Sequence, residues 1–230
     1  MITHEMNVRF SPDQFMPDGI VKASALQFVF QDIGGIHAQL LGLGYEAMMK
    51  DNQIWVITKL KYRLLGSILP DTDYRLVTYP KPHRGILYQR DFQLFNSAHE
   101  LVAIGISQWC VMDYVTRKVL RTNKDFEGEF NTEVLFPEGF DRFRPGVLTP
   151  AGSYTITESD LDGNNHTNNG RYADMVEIVL PGRSCTEFSI TFAKETRLGD
   201  TIALFTSPAE NGKTIVCGMV DDQTVFSALV

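Results

Sequence analysis

The 230-residue sequence contains few cysteines and no long apolar run. Its three cysteines, Cys110, Cys185 and Cys217, show no CxxC or CxxH spacing. This argues against a disulfide framework or a structural zinc site, and it fits a reducing cytoplasm. The first residues lack the apolar core of a signal peptide, and the longest charge-free apolar stretch, 101–112, is too short to cross a bilayer. We therefore expect a cytoplasmic protein without a membrane span.

Positive charge is also scarce, because 21 Lys and Arg stand against 28 Asp and Glu and give a net charge of −7. Nucleic acid is therefore not an expected partner. The 18 glycines and 10 prolines are ordinary proportions, which excludes collagen-like and disordered chains. The length fits one large domain or two fused domains of roughly 100 residues each.

One order of elements occurs twice along the chain: a short strand, an amphipathic helix and a run of alternating, strand-like segments. Ser24 and Gln27 have the spacing of a capping box at the start of the first helix. The second helix is shorter and is expected to stop at Pro181-Gly182. The apolar stripes of the two helices are Leu26, Val29, Ile33, Ile36 and Leu40, and Tyr172, Met175, Val176, Val179 and Leu180.

This order predicts an α+β fold, because each helix can bury its stripe only on one face of a twisted antiparallel sheet. We expect a tandem (double) hot-dog, in which two antiparallel β-sheets each wrap around a central α-helix. The expected organisation is an N-terminal repeat over 1–120, a connector over 121–147 and a C-terminal repeat over 148–230.

The densest group of polar side chains is the loop DLDGNNHTNN, which leads into the second helix. Asn168 or Asn169 is expected to cap that helix. Capping leaves Asp162, Asn164 and His166 unexplained, and their spacing of two places them on one side of an extended segment.

Two other site types fit the sequence poorly. The loop begins like a calcium-binding EF-hand, but Asn165 stands where glycine is required and Arg171 where the bidentate glutamate should be. Gly42-Leu43-Gly44 ends a helix, whereas a dinucleotide-binding fingerprint opens one. Calcium and dinucleotides are therefore not expected.

The run DLDGNNHTNNGRY resembles the D-x-N-x-H-x-N-N-x-x-Y segment of the acyl-acyl carrier protein (acyl-ACP) thioesterases, plant and bacterial enzymes that release fatty acids. QDIGGIHAQLLGLG resembles the first central helix of that family and WVITKLKYR its Trp-led strand, so the resemblance extends over nearly the whole chain. The sequence departs from the family pattern at Thr167, where Val is common, and at Thr196, where some plant members have Cys. The resemblance implies a catalytic set consisting of Asp162, Asn164, His166 and Glu195.

Thioester hydrolysis requires an activated nucleophile, an orienting group and a binding site for the oxyanion. Asp162 and Glu195 are the candidates for nucleophile or general base, and the sequence leaves the choice between them open. Asn164 and His166 are expected to orient the reacting groups, with His166 able to move a proton near neutral pH. The oxyanion is expected at the start of the second helix, where the helix dipole favours negative charge. The backbone N–H groups concerned are those of Asn168, Asn169 and Gly170.

The first repeat lacks an equivalent catalytic loop. Its corresponding loop, SPDQFMPDGIVKA, contains no His and no Asn, so we expect one active site per chain. The first helix is expected instead to help line the acyl pocket, through Leu26, Val29, Phe30 and Ile33.

The resemblance implies a hydrolase that releases free fatty acid from acyl-ACP in fatty acid biosynthesis, as a monomer or a homodimer. The expected partner is acyl carrier protein with its acyl-phosphopantetheine, and no metal or other cofactor is expected. A hot-dog thioesterase acting on acyl-coenzyme A is one alternative. A non-catalytic acyl- or carrier-binding protein is another, since fold alone does not fix function.

Overall fold

The computed structural model describes residues 2–122, 124 and 126–230. The first half contains, in chain order, β1 (His4–Arg9), α1 (Ala23–Leu40), α2 (Tyr45–Met49), β2 (Gln53–Leu64), β3 (Asp73–Pro80), β4 (Tyr88–Phe95) and β5 (Leu101–Asp113). The second half contains β6 (Thr149–Thr155), α3 (Arg171–Val179), β7 (Glu187–Phe192), β8 (Thr201–Pro208), β9 (Thr214–Val220) and β10 (Gln223–Leu229). None of the helices in these described ranges has both the length and the apolar character needed to cross a membrane.

All ten strands belong to one antiparallel sheet in the order β1-β3-β4-β5-β2-β7-β10-β9-β8-β6. From its outer edge inwards, the first half has the strand order β1-β3-β4-β5-β2, and the second half has the equivalent order β6-β8-β9-β10-β7. Each half therefore repeats the topology of the other. The halves meet where β2 pairs with β7, between the pairs Lys59–Thr191 and Arg63–Glu187. The tandem hot-dog prediction is confirmed, and the pairing of the two sheets with each other is a feature that the sequence pattern did not indicate.

The helices α1 and α3 pack into the same apolar core against the sheet. In α1, Leu26, Phe30 and Ile33 are fully buried, and the Phe30 ring stacks on Phe92 with centroids 4.5 Å apart. A Cβ at position 105 of β5 would lie 2.5 Å from that Phe30 ring, so only glycine allows the helix to approach the sheet so closely.

The ends of α1 differ from the sequence-based expectation. Lys22 is the N-cap and Ser24 is buried inside the first turn, so the predicted capping box is wrong. Ile36 and Leu40 belong to the predicted apolar stripe but are 43% and 68% exposed, because the last turns of the helix extend beyond the core. Tertiary packing therefore decided both ends of α1 against the local pattern.

Part of the connector between β5 and β6, residues 136–141, packs against β5 and β2. Phe136 is buried against β5, and Lys61 on β2, only 2% exposed, lies 3.2 Å from carboxylates of Glu138 and Asp141. Because a buried ammonium group needs nearby negative charge, these ion pairs fix the connector to the strand that joins the two halves.

A buried polar cluster links α1 to the first half of the sheet. The guanidinium of Arg90 donates from Nη1 to His37 Nδ1 at 3.0 Å and to Thr78 Oγ1 at 3.3 Å. Since arginine can only donate, His37 accepts through Nδ1 and is neutral. Burial, together with the charge of Arg90, lowers the pKa of His37 to about 4.

We predict that this histidine makes folding stability depend on pH. Its ordinary pKa of 6.5 applies to the unfolded chain, so between pH 6.5 and about 4 the unfolded state binds a proton that the folded state does not. The contribution of neutral His37 to the free energy of unfolding is therefore complete above pH 6.5. It decreases as the pH falls, by about 2 kcal/mol at pH 5. Urea unfolding at pH 7 and pH 5 measures the loss. His37→Gln keeps an acceptor for Arg90 but has no titrating proton, and a fall in stability equal to that of the wild type would contradict the assignment.

Candidate active site

The polar loop before α3 is a tight hairpin. Leu161 and Thr167 form a β-bridge, the Asp162 N–H donates to the His166 carbonyl at 2.8 Å, and Asn165 turns the chain with φ at 59°. The Asp162 carboxylate accepts through one oxygen, Oδ1, from the backbone N–H of Asn164 at 2.8 Å and of His166 at 3.1 Å. The Asp162 side chain therefore holds the loop in the shape that presents its neighbours.

His166 and Glu195 face each other across the site. His166 Nε2 lies 3.5 Å from Glu195 Oε2, and the two side chains are 17% and 35% exposed. Glu195 lies in the short segment after β7, and the structure brings it beside the loop as the resemblance implies.

Two departures from the family pattern explain how that segment is held in place. Thr167 N–H donates to the Thr196 carbonyl at 2.9 Å, and the two hydroxyls lie 2.7 Å apart. The Tyr172 hydroxyl, from the first turn of α3, lies 2.9 Å from the same Thr196 hydroxyl. Loop, helix and Glu195 segment are therefore joined through one buried threonine pair.

Arg117 is a site residue that the sequence analysis missed. It lies in the turn after β5, in the N-terminal half, and its Nη2 forms an ion pair with Glu195 Oε1. Both oxygens of Glu195 are thus engaged, one by Arg117 and the other by His166. The sequence around Arg117 contains no motif that indicates a catalytic role, because it is typical of an ordinary polar turn.

The start of α3 leaves one backbone donor available among the three that were predicted. Asn168 N–H donates to the Asp160 carbonyl at 2.8 Å, and Gly170 N–H donates to Asn168 Oδ1 at 3.0 Å. Within the described part of the chain, the Asn169 N–H has no acceptor. The helix N-cap is Gly170 rather than an asparagine, and a Cβ there would lie 2.7 Å from the Phe28 ring. The prediction that an asparagine caps the helix is therefore wrong, although Asn168 does bind the first turn.

A cavity of about 850 Å³, here called the proximal cavity, opens at these groups. Asp162, Asn164, His166, Asn169 and Glu195 all line it, so the structure brings the implied catalytic set to one surface. Within residues 2–122, 124 and 126–230, no group of three or more His, Cys, Asp or Glu side chains is placed to hold a metal ion.

A second, smaller cavity of about 210 Å³, here called the distal cavity, lies beside the proximal cavity, between α1 and the first half of the sheet. Five residues line both cavities. Three belong to α1, one to β2 and one to β5, and they are Gln31, Gly35 and Ala38, Trp55, and Trp109.

The four residues predicted for the acyl pocket lie elsewhere on α1. Leu26, Phe30 and Ile33 are buried in the core, Val29 packs against it, and none of the four lines either cavity. The periodic apolar stripe marks the face of α1 that packs on the sheet, whereas the cavity meets the neighbouring face with Gly35.

Comparisons with known proteins match both halves of the chain to one family. A model of the family described as acyl-ACP thioesterase N-terminal domain matches residues 3–130, and the corresponding C-terminal domain model matches residues 150–225. None of the curated proteins that were compared matches the chain.

Solved structures share the fold over the full length. An acyl-ACP thioesterase from Bacteroides thetaiotaomicron superposes with a TM-score of 0.85 at 18% identity, covering 100% of this chain and 97% of that one. The 12:0-ACP thioesterase from Umbellularia californica gives 0.85 at 16% identity, covering 100% and 96%.

Proposed function

The chain belongs to the acyl-ACP thioesterase family and hydrolyses acyl-ACP to free fatty acid, and we propose that it does so with His166 as general base, oriented by Glu195. The observation that carries this assignment is the placement of Glu195 between Arg117 and His166. Arg117 pairs with its Oε1 and His166 Nε2 lies 3.5 Å from its Oε2, so the carboxylate is held where it can orient the imidazole. His166 Nδ1, in contrast, has no hydrogen-bond partner among the described residues, and its ring lines the proximal cavity.

The reaction follows from these positions. Water attacks the thioester carbonyl carbon while His166 Nδ1 takes one water proton, and Glu195 stabilises the imidazolium that forms. The carbonyl oxygen becomes an oxyanion and accepts from the Asn169 N–H at the start of α3, with Asn164 orienting the water. When the carbon–sulfur bond breaks, His166 returns its proton to the leaving sulfur. The products are a fatty acid and the phosphopantetheine thiol.

Asp162 acts through the loop and not on the substrate in this scheme. We expect Asp162→Asn to retain most activity, because the amide oxygen still accepts from the Asn164 and His166 N–H groups. Asp162→Ala removes that acceptor and should lower kcat/KM by about tenfold or more, since small misplacements of a catalytic group are costly. Steady-state kinetics on both variants decides the point, and equal losses in the two would show that the carboxylate charge itself is needed.

The acyl chain lies in the proximal cavity and reaches the distal cavity past Gly35. An ideal Cβ at Gly35 meets no atom within 4 Å, so a larger side chain there enters the open passage. A glycine inside a helix lowers the stability of the fold by roughly 1 kcal/mol relative to alanine. An open passage beside the helix explains why glycine is nevertheless present at position 35.

We predict that Gly35→Leu shortens the accepted acyl chain. The added side chain blocks the passage from the proximal to the distal cavity. The kcat/KM for the longest substrates should therefore fall about tenfold or more relative to that for short ones. Asp32→Leu, on an exposed position of the same helix, is the matched control. Hydrolysis across a series of chain lengths measures the effect, and an unchanged profile in Gly35→Leu would exclude this route for the chain.

Carrier docking needs local positive charge, since the chain as a whole is acidic. Lys194 and Arg197 are exposed and line the proximal cavity, so they are placed to meet an acidic carrier at its mouth. We place the enzyme in the cytoplasm, where the three free cysteines remain reduced.

Hydrolysis rates on matched acyl-ACP and acyl-coenzyme A thioesters test the proposed function. We expect higher kcat/KM on acyl-ACP, with KM rising on added salt for that substrate and hardly changing for a short acyl-coenzyme A. Equal rates and equal salt responses would favour an acyl-coenzyme A thioesterase. No hydrolysis of either substrate would leave a binding protein.

A further inference from the structure

Arg90 is a buried cation without a counter-ion. It is 6% exposed on β4, and its two partners, His37 and Thr78, are both neutral. No carboxylate of the described residues lies within ion-pair distance of its guanidinium. The neighbouring Asp91 alternates to the other face of the strand, where Lys81 lies 3.4 Å from its carboxylate.

Such a group is costly in a folded chain. An unpaired buried charge destabilises the protein by several kcal/mol unless something compensates it. Burial lowers the pKa of Arg90 to about 10, so the side chain keeps its charge at neutral pH. A ligand anion is the missing partner that would offset this cost.

Arg90 also lines a space that a ligand can occupy. It borders the distal cavity, whose other walls include Trp55, Tyr88 and Phe126. A Cβ at Gly34 would lie 3.4 Å from Arg90 Cδ, so the glycine leaves room for the arginine beside the helix. Among the described residues, the wall of the distal cavity is therefore mostly apolar and contains one cation, Arg90.

The distal cavity lies next to the proximal cavity, beyond Gly35. On the proposed function, on which this inference rests, an acyl chain whose thioester is at His166 extends its far end towards Arg90. We propose that the distal cavity is a subsite for acyl chains that carry a carboxylate at the far end, and that Arg90 binds this carboxylate. A methyl-ended chain fills the same space but leaves the guanidinium without an anion.

The test compares acyl-ACP pairs of equal carbon number, one ending in a methyl group and the other in a carboxylate, over a series of lengths. At the length that reaches Arg90, the wild type should hydrolyse the carboxylate-ended substrate with about tenfold or more higher kcat/KM, as for a charge-assisted hydrogen bond. Arg90→Met should reduce this ratio about tenfold or more. Arg75→Met, which removes an exposed arginine that pairs with Glu5 on the neighbouring strand, should keep it. A ratio at or below one at every length in the wild type, or an equal ratio in Arg90→Met, would overturn the proposal.

Binding to the wild type provides a second measurement that needs no folded variant and no turnover. Trp55 and Trp109 are the only tryptophans of the sequence and line both cavities, so their fluorescence reports ligand binding in this connected region. A free dicarboxylic acid should titrate this signal with about tenfold or more higher affinity than the monocarboxylic acid of equal length. Equal affinities would overturn the proposal. Tight dicarboxylate binding by a chain that hydrolyses no acyl-ACP would instead contradict the proposed function and leave the anion site standing.

Discussion

His166→Asn is expected to lower kcat/KM for acyl-ACP by roughly a hundredfold or more, as for removal of a general base. Glu195→Gln should cause a loss of similar size, because an amide cannot stabilise the imidazolium that forms on His166. Both effects should appear in kcat rather than in KM, since neither side chain lines the distal cavity. Single-turnover and steady-state hydrolysis of one acyl-ACP measure them.

The control is His99→Asn, on an exposed turn with φ at 60°, a conformation that asparagine tolerates. It should retain full activity. Because the corresponding loop of the first repeat has no His and no Asn, each single variant should remove essentially all turnover. Half of the activity remaining in His166→Asn would indicate a second site in the chain, and near-full activity in Glu195→Gln would show that the implied role of Glu195 is wrong.

The second large effect is expected at Arg117. Arg117→Met frees Glu195 Oε1 and allows the carboxylate to leave His166, so kcat should fall about tenfold to a hundredfold with little change in KM. Arg117→Lys keeps a cation in reach and should recover part of the loss. The measurement is again kcat and KM on acyl-ACP.

Lys118→Met is the matched control, since Lys118 is exposed in the same turn and its ammonium forms no ion pair in the described structure. If Arg117 served only for carrier docking, Arg117→Met would raise KM in low salt and leave kcat unchanged. That result would contradict the positioning role.

The fold was largely predictable because burial imposes periodicity. The alternation of strands and the stripes on α1 and α3 reflect which residues face the sheet, and these gave the repeat order. The joining of the two sheets through β2 and β7 left no such mark, since the register Lys59–Thr191 depends on two strands far apart in sequence.

The candidate site was predictable where it is continuous in sequence. Asp162, Asn164 and His166 stand within one loop, but Arg117 reaches Glu195 across 78 positions and belongs to the other repeat. The lining of the cavities was missed for a related reason. A cavity forms where packing is incomplete, so the absent side chain of Gly35 matters more there than the apolar stripe with Leu26.

Because β2 and β7 pair within one chain, the helices α1 and α3 can also acquire substitutions independently of each other. In a symmetric dimer of identical repeats, any substitution in the helix facing the acyl chain would appear at the same time in the helix beside the reacting groups. Here α1 carries Gly34 and Gly35 while α3 retains Gly170 and the catalytic loop, so each can vary alone. On the proposed function, substitutions in α1 can therefore change substrate preference over generations without altering the loop that precedes α3.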